Sequence, residues 1–336
     1  MQKTFDEKIK RIRNDSSCRD FILADAKDGD MGLGLAAPGI VLSKEEKSAS
    51  SFRTLQMYRQ AMRDVTQQGL VDIMLMSVSS SEQLTLKERL FEGSAVTPAV
   101  RANDTSDIWC GDSGIYSSQA SRPFRTTTLA HAQCGKINCD PVEKENGVDL
   151  GLYSITFNND VERDHEALER YRDFRIEAER VGFRHFLEVF APNAPVAPIE
   201  DVPRFVNDCI VRTLAGVPEV SRPLFLKMPY FGPAAMEALV HYDETLVVGI
   251  LGGSSGTTHD AFRMLWEAKK YGARAALFGR KINNSEDQLT FVKFLRAVAD
   301  DQLEPSEAVK AYHGELAKQQ IAPIRALQED LAVTQL

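Results

Sequence analysis

The sequence predicts an α/β protein, a closed (β/α)8 barrel formed by one domain over residues 1–336. Eight short apolar runs recur along the chain, separated mostly by helical patterns. Continuous apolar runs are typical of strands buried on both faces, as in a parallel sheet. The chain of 336 residues suits one such barrel of roughly 250 residues with additions. An open doubly wound sheet is the competing fold, but no Gly-x-Gly-x-x-Gly follows the first strand.

The predicted elements alternate from the start of the chain. An amphipathic helix comes first, because Phe5, Ile9 and Ile12 recur at helical spacing. The strands are predicted at residues 21–24, 71–76, 94–100, 148–156, 185–190, 224–228, 245–251 and 273–278. The helices between them are predicted at about 50–68, 81–92, 160–181, 199–216 and 257–271, with a shorter one opened by Pro233. A C-terminal helical pattern at about 304–330 is expected to pack on the barrel exterior or at a subunit interface.

A long segment, about residues 102–146, interrupts the alternation after the third strand. It carries Trp109, Tyr116, two arginines and three cysteines. Loops of this length are usually functional or disordered. Two interpretations stay open: an ordered lid over the barrel mouth, and a peripheral excursion or oligomer contact.

The charge balance and the apolar runs exclude several classes of partner. The chain has 40 Lys and Arg against 48 Asp and Glu, a formal charge of −8. This acidic excess disfavours nucleic acid and anionic membrane surfaces as partners. No apolar run approaches the roughly 20 residues of a membrane span. The polar start Met1-Gln-Lys-Thr lacks the apolar stretch of a signal peptide, so we expect a cytoplasmic protein.

The five cysteines are an odd and scattered set that does not suggest a disulfide framework. Cys134 and Cys139 lie close to His131, but no second Cys/His pair stands at the spacing of a zinc site. We therefore expect free thiols and no bound metal.

Lys227 is the most informative candidate at the carboxyl ends of the strands, where such barrels place their active site. It lies within the apolar run Leu224-Phe-Leu-Lys-Met228. Burial disfavours an ammonium and favours a neutral amine, which can attack a carbonyl to form a Schiff base. A structural lysine paired with a carboxylate is the alternative interpretation.

Glycine-containing turns follow the last two predicted strands. Gly252, Gly253 and Ser254 follow the seventh strand, and Gly279 and Arg280 follow the eighth. Loops at these positions recurrently bind phosphate, because glycine lets backbone N–H groups approach the anion and arginine adds a charged donor. A phosphate site beside a buried lysine predicts a phosphorylated carbonyl substrate.

Five further strand-end residues are candidates. Asp25 and Lys27 end the first strand, Arg101 ends the third, and Tyr153 and Glu188 lie on the fourth and fifth. Lys27 is interpreted as a second base or a solvated loop residue. Arg101 is interpreted as a ligand of a second phosphate or carboxylate, or as half of a salt bridge.

From about residue 148 onward, the chain resembles the class I, Schiff-base aldolases of the deoxyribose-phosphate, archaeal-type fructose-bisphosphate and tagatose-bisphosphate superfamily. Phe21-Ile-Leu-Ala-Asp25 fits the first strand of that family, which ends in an aspartate. The other matching segments are Phe186-Leu-Glu-Val, Leu226-Lys-Met-Pro-Tyr230, Val248-Gly-Ile-Leu-Gly-Gly253 and Leu277-Phe-Gly-Arg-Lys281.

The resemblance implies a role for each matching residue. Lys227 would be the Schiff-base lysine, and Asp25 would position the substrate or shuttle protons. Glu188 matches the glutamate that the tagatose-bisphosphate type uses in acid–base work. The residues implied to hold a substrate phosphate are Gly252, Gly253, Gly279 and Arg280.

Two positions depart from the family pattern. Phe190 stands where the fructose-bisphosphate type has a proton-transferring tyrosine, and the fourth strand lacks the lysine of the tagatose-bisphosphate type. Tyr153 is a candidate replacement for the acid–base group, with a place in the core as the alternative.

We therefore expect a class I aldolase, a lyase that cleaves a carbon–carbon bond of a phosphorylated ketose or a related carbonyl compound. No metal or other cofactor is expected, because the iminium itself accepts the electrons. The alternatives are acyl transfer or isomerisation of a sugar phosphate, and a non-catalytic phosphosugar-binding barrel. The resemblance also implies assembly into a homo-oligomer.

Overall fold

The computed structural model describes residues 2–41, 52–111, 113–253 and 256–334. Within these ranges, eight parallel strands close into a (β/α)8 barrel, which confirms the predicted fold class. The strands follow the chain around the barrel, and each overlaps the apolar run that predicted it. They are β1 (Ile22–Lys27), β2 (Ile73–Met76), β3 (Thr97–Arg101), β4 (Leu150–Thr156), β5 (Arg184–Phe190), β6 (Leu226–Met228), β7 (Val248–Leu251) and β8 (Ala275–Phe278).

Helices lie between and around the strands, close to the predicted places. Their bounds are α1 (Thr4–Asn14), α2 (Leu55–Gln68), α3 (Val78–Ser81), α4 (Leu129–Cys134), α5 (Pro141–Glu145), α6 (Val161–Val181), α7 (Val202–Ala215), α8 (Pro233–Tyr242), α9 (Thr258–Lys270), α10 (Arg280–Asn283), α11 (Gln288–Ala299), α12 (Pro305–Lys318) and α13 (Leu327–Asp330). Helix α3 begins earlier than predicted, because the Ser77 hydroxyl accepts a hydrogen bond from the Ser80 amide and caps it. A π-helical turn, Glu82–Lys87, continues α3.

The strands separate two apolar layers, since successive side chains point to opposite faces of a strand. The inner layer fills the barrel with side chains such as Ile22, Leu75, Leu152, Phe186 and Leu277. The outer layer packs the other face of each strand against the helices. Consequently, the parity of a residue along its strand decides whether it reaches the barrel interior.

Helix α1 packs at the amino-terminal end of the barrel. Its residues Phe5 and Ile9 belong to the inner layer, and the Phe5 ring meets the Phe225 ring at 5.9 Å between centroids. The Thr4 amide donates to the carbonyl of Ala95, just before β3. This end is therefore filled by apolar side chains, and the carboxyl ends of the strands remain for a site.

The 102–146 segment is ordered where described and has two parts. Asp104–Thr105 and Pro123–Phe124 pair as a short antiparallel ribbon, and Asp107, Ile108, Gly111 and Ser117 between them lie at the barrel mouth. Helix α4 then packs on α6, where the Leu129 amide donates to Glu177. The segment thus combines a cover over the mouth with a peripheral packing element.

The expectation of free thiols is wrong for two of the five cysteines. Cys134 and Cys139 form a disulfide, with their Cα atoms 5.8 Å apart. Gly135 ends α4 in the left-handed conformation and turns the chain back, which brings the two cysteines together. Among the described helices, none combines the length and hydrophobicity that a membrane crossing requires.

Candidate active site

A cavity of about 320 Å3 opens at the carboxyl ends of the strands. Lys227 from β6 and Glu188 from β5 form part of its wall. The long segment contributes Asp107, Ile108, Gly111 and Ser117 to the lining. Six predicted site residues line this cavity: Arg101, Glu188, Lys227, Gly252, Gly279 and Arg280. The structure therefore brings the predicted lysine, glutamate and phosphate loops to one place.

Lys227 and Glu188 occupy matching positions on neighbouring strands and form an ion pair. Lys227 Nζ lies 2.6 Å from Glu188 Oε1. The exposed fraction is 6% for Lys227 and 1% for Glu188. Both the lysine–carboxylate alternative and the Schiff-base interpretation are compatible with this pair, because a carboxylate at this distance can accept the ammonium proton.

Arg101 connects two carboxylates of the cavity wall, Asp28 and Glu188. Its Nε donates to Asp28 Oδ2 at 2.6 Å, and its Nη2 donates to Glu188 Oε2 at 3.3 Å. Ser154 accepts from Arg101 Nη1 at 2.9 Å and donates to Glu188 Oε2 at 2.7 Å. Glu188 thus has one oxygen fixed by Ser154 and Arg101, and the other faces Lys227.

The charges in this network determine the ionisation of Asp28 and Arg101. Burial favours a raised pKa for Asp28, but Arg101 and Lys227 outweigh it, so the pKa lies below its ordinary value. Burial lowers the pKa of Arg101, but Asp28 and Glu188 outweigh it, and the net shift is upward. Both groups therefore stay charged. Arg101 is the salt-bridge partner of two carboxylates in this structure.

The structure does not bring Asp25 and Lys27 to the cavity. Ala26 and Asp28 line the cavity, and Asp25 and Lys27 alternate with them, so their side chains point to the opposite face of β1. Asp25 and Lys27 are fully buried in the layer between β1 and the helices. Lys27 Nζ lies 3.0 Å from Asp25 Oδ2 and donates to Asn283 at 2.6 Å and to Gln288 at 2.9 Å. Burial is the main cause of a raised Asp25 pKa and a lowered Lys27 pKa.

Tyr153 also faces away from the cavity. It precedes Ser154 on β4, so its ring points outward, where it packs 4.5 Å from Phe174 and 5.1 Å from Tyr171 of α6. Burial raises its pKa. Tyr153 therefore lies in the core, as the alternative interpretation had it, and it does not line the cavity.

The predicted phosphate residues lie at the edge of the cavity. A Cβ at Gly252 would collide with the Phe278 ring, and one at Gly279 would lie 2.5 Å from the Ala26 carbonyl oxygen. Glycine is thus required by close packing at both positions. Arg280 is exposed at the rim and forms no ion pair with the described residues. Gly253 does not line the cavity, although it directly follows Gly252, which does. Ser254 lies outside the described residues.

Sequence reasoning missed two residues of this network, Asp28 and Ser154. Ile22 and Ala24 belong to the inner layer, and alternate positions beyond them lead to Ala26 and Asp28. The signal that could have found them is this alternation, counted from apolar residues inside the barrel. Within the described ranges, no group of three His, Cys, Asp or Glu side chains is suited to hold a metal ion.

Comparisons with solved structures place this fold among known barrels. An archaeal fructose-1,6-bisphosphate aldolase is 13% identical with a TM-score of 0.59, covering 87% of this chain and 98% of its own. A Schiff-base-forming fructose-1,6-bisphosphate aldolase is 15% identical with a TM-score of 0.60, covering 88% and 100%. The fructose-bisphosphate aldolase from Slackia heliotrinireducens is 14% identical with a TM-score of 0.63, covering 92% and 91%.

At this identity the likeness defines the fold, and it agrees with the resemblance drawn from the sequence. No protein-family model and no curated protein sequence matches the chain.

Proposed function

We propose that this protein is a class I aldolase acting on a phosphorylated ketose or a related carbonyl compound. The observation that carries the proposal is the Lys227–Glu188 pair, 2.6 Å apart in a cavity edged by Gly252, Gly279 and Arg280. An archaeal fructose-1,6-bisphosphate aldolase of the same fold, 15% identical with a TM-score of 0.57, has its catalytic lysine covalently bound to the carbinolamine intermediate.

The reaction begins with a proton transfer between the paired side chains. Glu188 Oε1 takes a proton from Lys227 Nζ, which becomes a neutral amine. The amine attacks the substrate carbonyl carbon to give a carbinolamine. Glu188 returns its proton to the departing hydroxyl, water leaves, and an iminium remains on Lys227.

The iminium then accepts the electrons of the carbon–carbon bond. Glu188, a carboxylate again, removes the proton of the substrate hydroxyl, the bond breaks, and an aldehyde departs from a Lys227 enamine. Protonation of the enamine carbon and attack by water release the second product and restore the amine. Arg101 and Ser154 hold Glu188 in place through these transfers, which is the support a positioned acid–base group needs.

Gly252, Gly279 and Arg280 supply the phosphate end of the proposed site. Arg280 is exposed and lines the cavity, so its guanidinium is available for a charge-assisted contact with an anion. The phosphate would thereby fix the substrate with its carbonyl directed toward Lys227.

Borohydride reduction in the presence of dihydroxyacetone phosphate tests the proposal. We expect an irreversible adduct on the peptide that contains Lys227, and none in the Lys227→Met variant. Lys27→Met is the matched control, since it removes a buried lysine that faces away from the cavity; its adduct should persist in the folded fraction. Labelling that survives in Lys227→Met would contradict the proposed role of Lys227.

One observation favours a second candidate, isomerisation of a sugar phosphate. Phe190 lines the cavity where the resembling fructose-bisphosphate type has a proton-transferring tyrosine. An isomerase would convert a phosphorylated ketose without releasing an aldehyde. Product analysis with a panel of ketose phosphates separates the two reactions, because only the aldolase yields two carbonyl fragments.

A further inference from the structure

The C-terminal tail, defined here as Asp330–Thr334, is bonded to the start of helix α9. The Thr257 hydroxyl donates to the Ala332 carbonyl at 2.7 Å, and His259 Nδ1 donates to the Leu331 carbonyl at 2.7 Å. Thr334 donates from its amide and its hydroxyl to Asp260, at 2.8 and 2.6 Å. The tail therefore holds the first turn of α9 and its capping residue Thr257.

Asp330 is the most buried polar group of this contact, with an exposed fraction of 2%. Its Oδ1 accepts from the Thr258 amide at 2.7 Å, and its Oδ2 accepts from His313 Nε2 at 2.9 Å. A carboxylate is thus placed on the first turn of α9, where the helix dipole and the free amides favour negative charge. His313 lies on α12, so the Asp330 carboxylate also bonds that helix to the start of α9.

A second link connects this anchor to the rim of the cavity. Lys281 Nζ donates to the Gly256 carbonyl at 2.7 Å. Lys281 follows Arg280 directly, and Arg280 and Gly279 both line the cavity. Continuous contacts therefore run from Asp330 through Thr258 and Gly256 to the turn that carries Arg280.

We propose that Asp330 is a positioning residue, which holds the start of α9 and, through Gly256 and Lys281, the turn after β8 in the arrangement that binds the substrate phosphate. This inference rests on the proposed function. Asp330 does not line the cavity; it acts through the start of α9 and through Lys281. The C-terminal tail is, on this view, part of the support of the phosphate site.

The test compares Asp330→Ala with Glu329→Ala, which removes the neighbouring carboxylate that accepts from the Ala326 amide just before α13. One readout is the dissociation constant of inorganic phosphate, followed by phosphorus NMR. The other is the rate of borohydride trapping on Lys227 with unphosphorylated dihydroxyacetone, which needs no phosphate site. Thermal unfolding of each variant shows whether it is folded.

We expect Asp330→Ala to raise the phosphate dissociation constant about tenfold, the effect of displacing one charge-assisted hydrogen bond between the site and phosphate, and to leave dihydroxyacetone trapping unchanged. Asp330→Asn should recover part of the affinity, because its amide oxygen still accepts from Thr258. Glu329→Ala should bind phosphate like the wild type. The combination of weaker phosphate binding and unchanged trapping is one that a general loss of fold cannot produce.

Equal phosphate affinity in Asp330→Ala and the wild type would overturn the proposal. A parallel fall of phosphate affinity and trapping rate in Asp330→Ala would also overturn it, and so would a wild type that does not bind phosphate. If Asp330→Ala does not fold, Thr334→Ala is the substitute, because it removes the hydroxyl bond from the same tail to Asp260. We then expect a smaller rise in the phosphate dissociation constant. If no carbonyl compound labels Lys227 in the wild type, the proposed function fails, and the phosphate constants still decide the role of Asp330.

Discussion

Lys227 and Glu188 are register partners on adjacent strands, and their charged ends meet at 2.6 Å inside the barrel mouth. This relationship follows from the barrel itself, because parallel neighbours in register direct their side chains to the same face. Ser154 and Arg101 hold the other oxygen of Glu188. The first proton transfer of the proposed reaction therefore requires no rearrangement of the protein.

Glu188→Gln is the variant that tests the proton transfers. Glutamine has nearly the same shape as glutamate but cannot accept the Lys227 proton. We expect the turnover number for aldol cleavage to fall by about 10²- to 10⁴-fold, the usual contribution of general acid–base catalysis. Glu177→Gln is the control, since Glu177 pairs with Arg125 on the flank of the barrel. A Glu188→Gln enzyme with normal turnover would remove Glu188 from the mechanism.

Arg280→Met tests the phosphate end of the site. Because Arg280 is exposed, its loss should leave the free energy of unfolding almost unchanged. We expect the KM of a phosphorylated substrate to rise by about 10- to 100-fold, the range of a lost hydrogen bond to a charged group. The rate of trapping with unphosphorylated dihydroxyacetone should not change.

Arg204→Met is the matched control for Arg280, because Arg204 is an exposed arginine of α7 whose neighbour is Asp208. An unchanged KM in Arg280→Met, or an equal rise in both variants, would contradict the assignment of Arg280.

The barrel could be predicted from the sequence because burial of the short apolar runs on both faces is what makes these segments strands. Each strand of a parallel barrel is covered on both faces, and no other common element requires so short and continuous an apolar run. Lys227 and Glu188 could be predicted for the same reason, since an ionisable side chain in such a run is conspicuous. The turns containing Gly252 and Gly279 could be placed from their positions after the last two strands.

The direction of individual side chains was harder to predict. The sequence placed Asp25, Lys27 and Tyr153 at strand ends but did not fix their parity, and all three face the helices. Counting alternate positions from a known inner residue would have selected Asp28 and Ser154 instead. The long segment resisted prediction because its conformation depends on contacts with distant parts of the chain, such as Arg125 with Glu177.

Breaking the buried Asp25–Lys27 pair should affect stability and spare the chemistry. Asp25→Asn leaves Lys27 in the layer between β1 and the helices without its carboxylate, and we expect a loss of about 3 kcal/mol in the free energy of unfolding. The double change Asp25→Leu with Lys27→Met should recover much of that loss, because it leaves no unpaired charge. The turnover number of the folded enzyme should stay within a few-fold of wild type.

Urea unfolding and steady-state kinetics on the same samples check this prediction. An Asp25→Asn protein of normal stability but greatly reduced turnover would instead assign Asp25 to the reaction, as the family resemblance implies.

His185 should make the stability of the protein depend on pH. It is buried beside Tyr171, whose hydroxyl lies 2.8 Å from Nε2, and burial lowers its pKa to about 3. The unfolded chain binds the proton near pH 6.5, whereas the folded protein does not, so stability is full above that pH and falls as the pH decreases from about 6.5 toward 3. Each pH unit in this interval costs about 1.4 kcal/mol.

The measurement is the free energy of unfolding in urea between pH 7.5 and pH 5, the range above most carboxylate titrations. Wild type should lose about 2 kcal/mol over this range through His185 alone. The double variant His185→Leu with Tyr171→Phe removes the imidazole without leaving the tyrosine hydroxyl unpaired, and it should lose correspondingly less. Tyr171→Phe alone retains the buried imidazole and should keep the wild-type slope. If the free energy of unfolding falls equally with pH in wild type and the double variant, His185 takes up its proton in the folded protein as readily as in the unfolded chain, which would contradict the prediction.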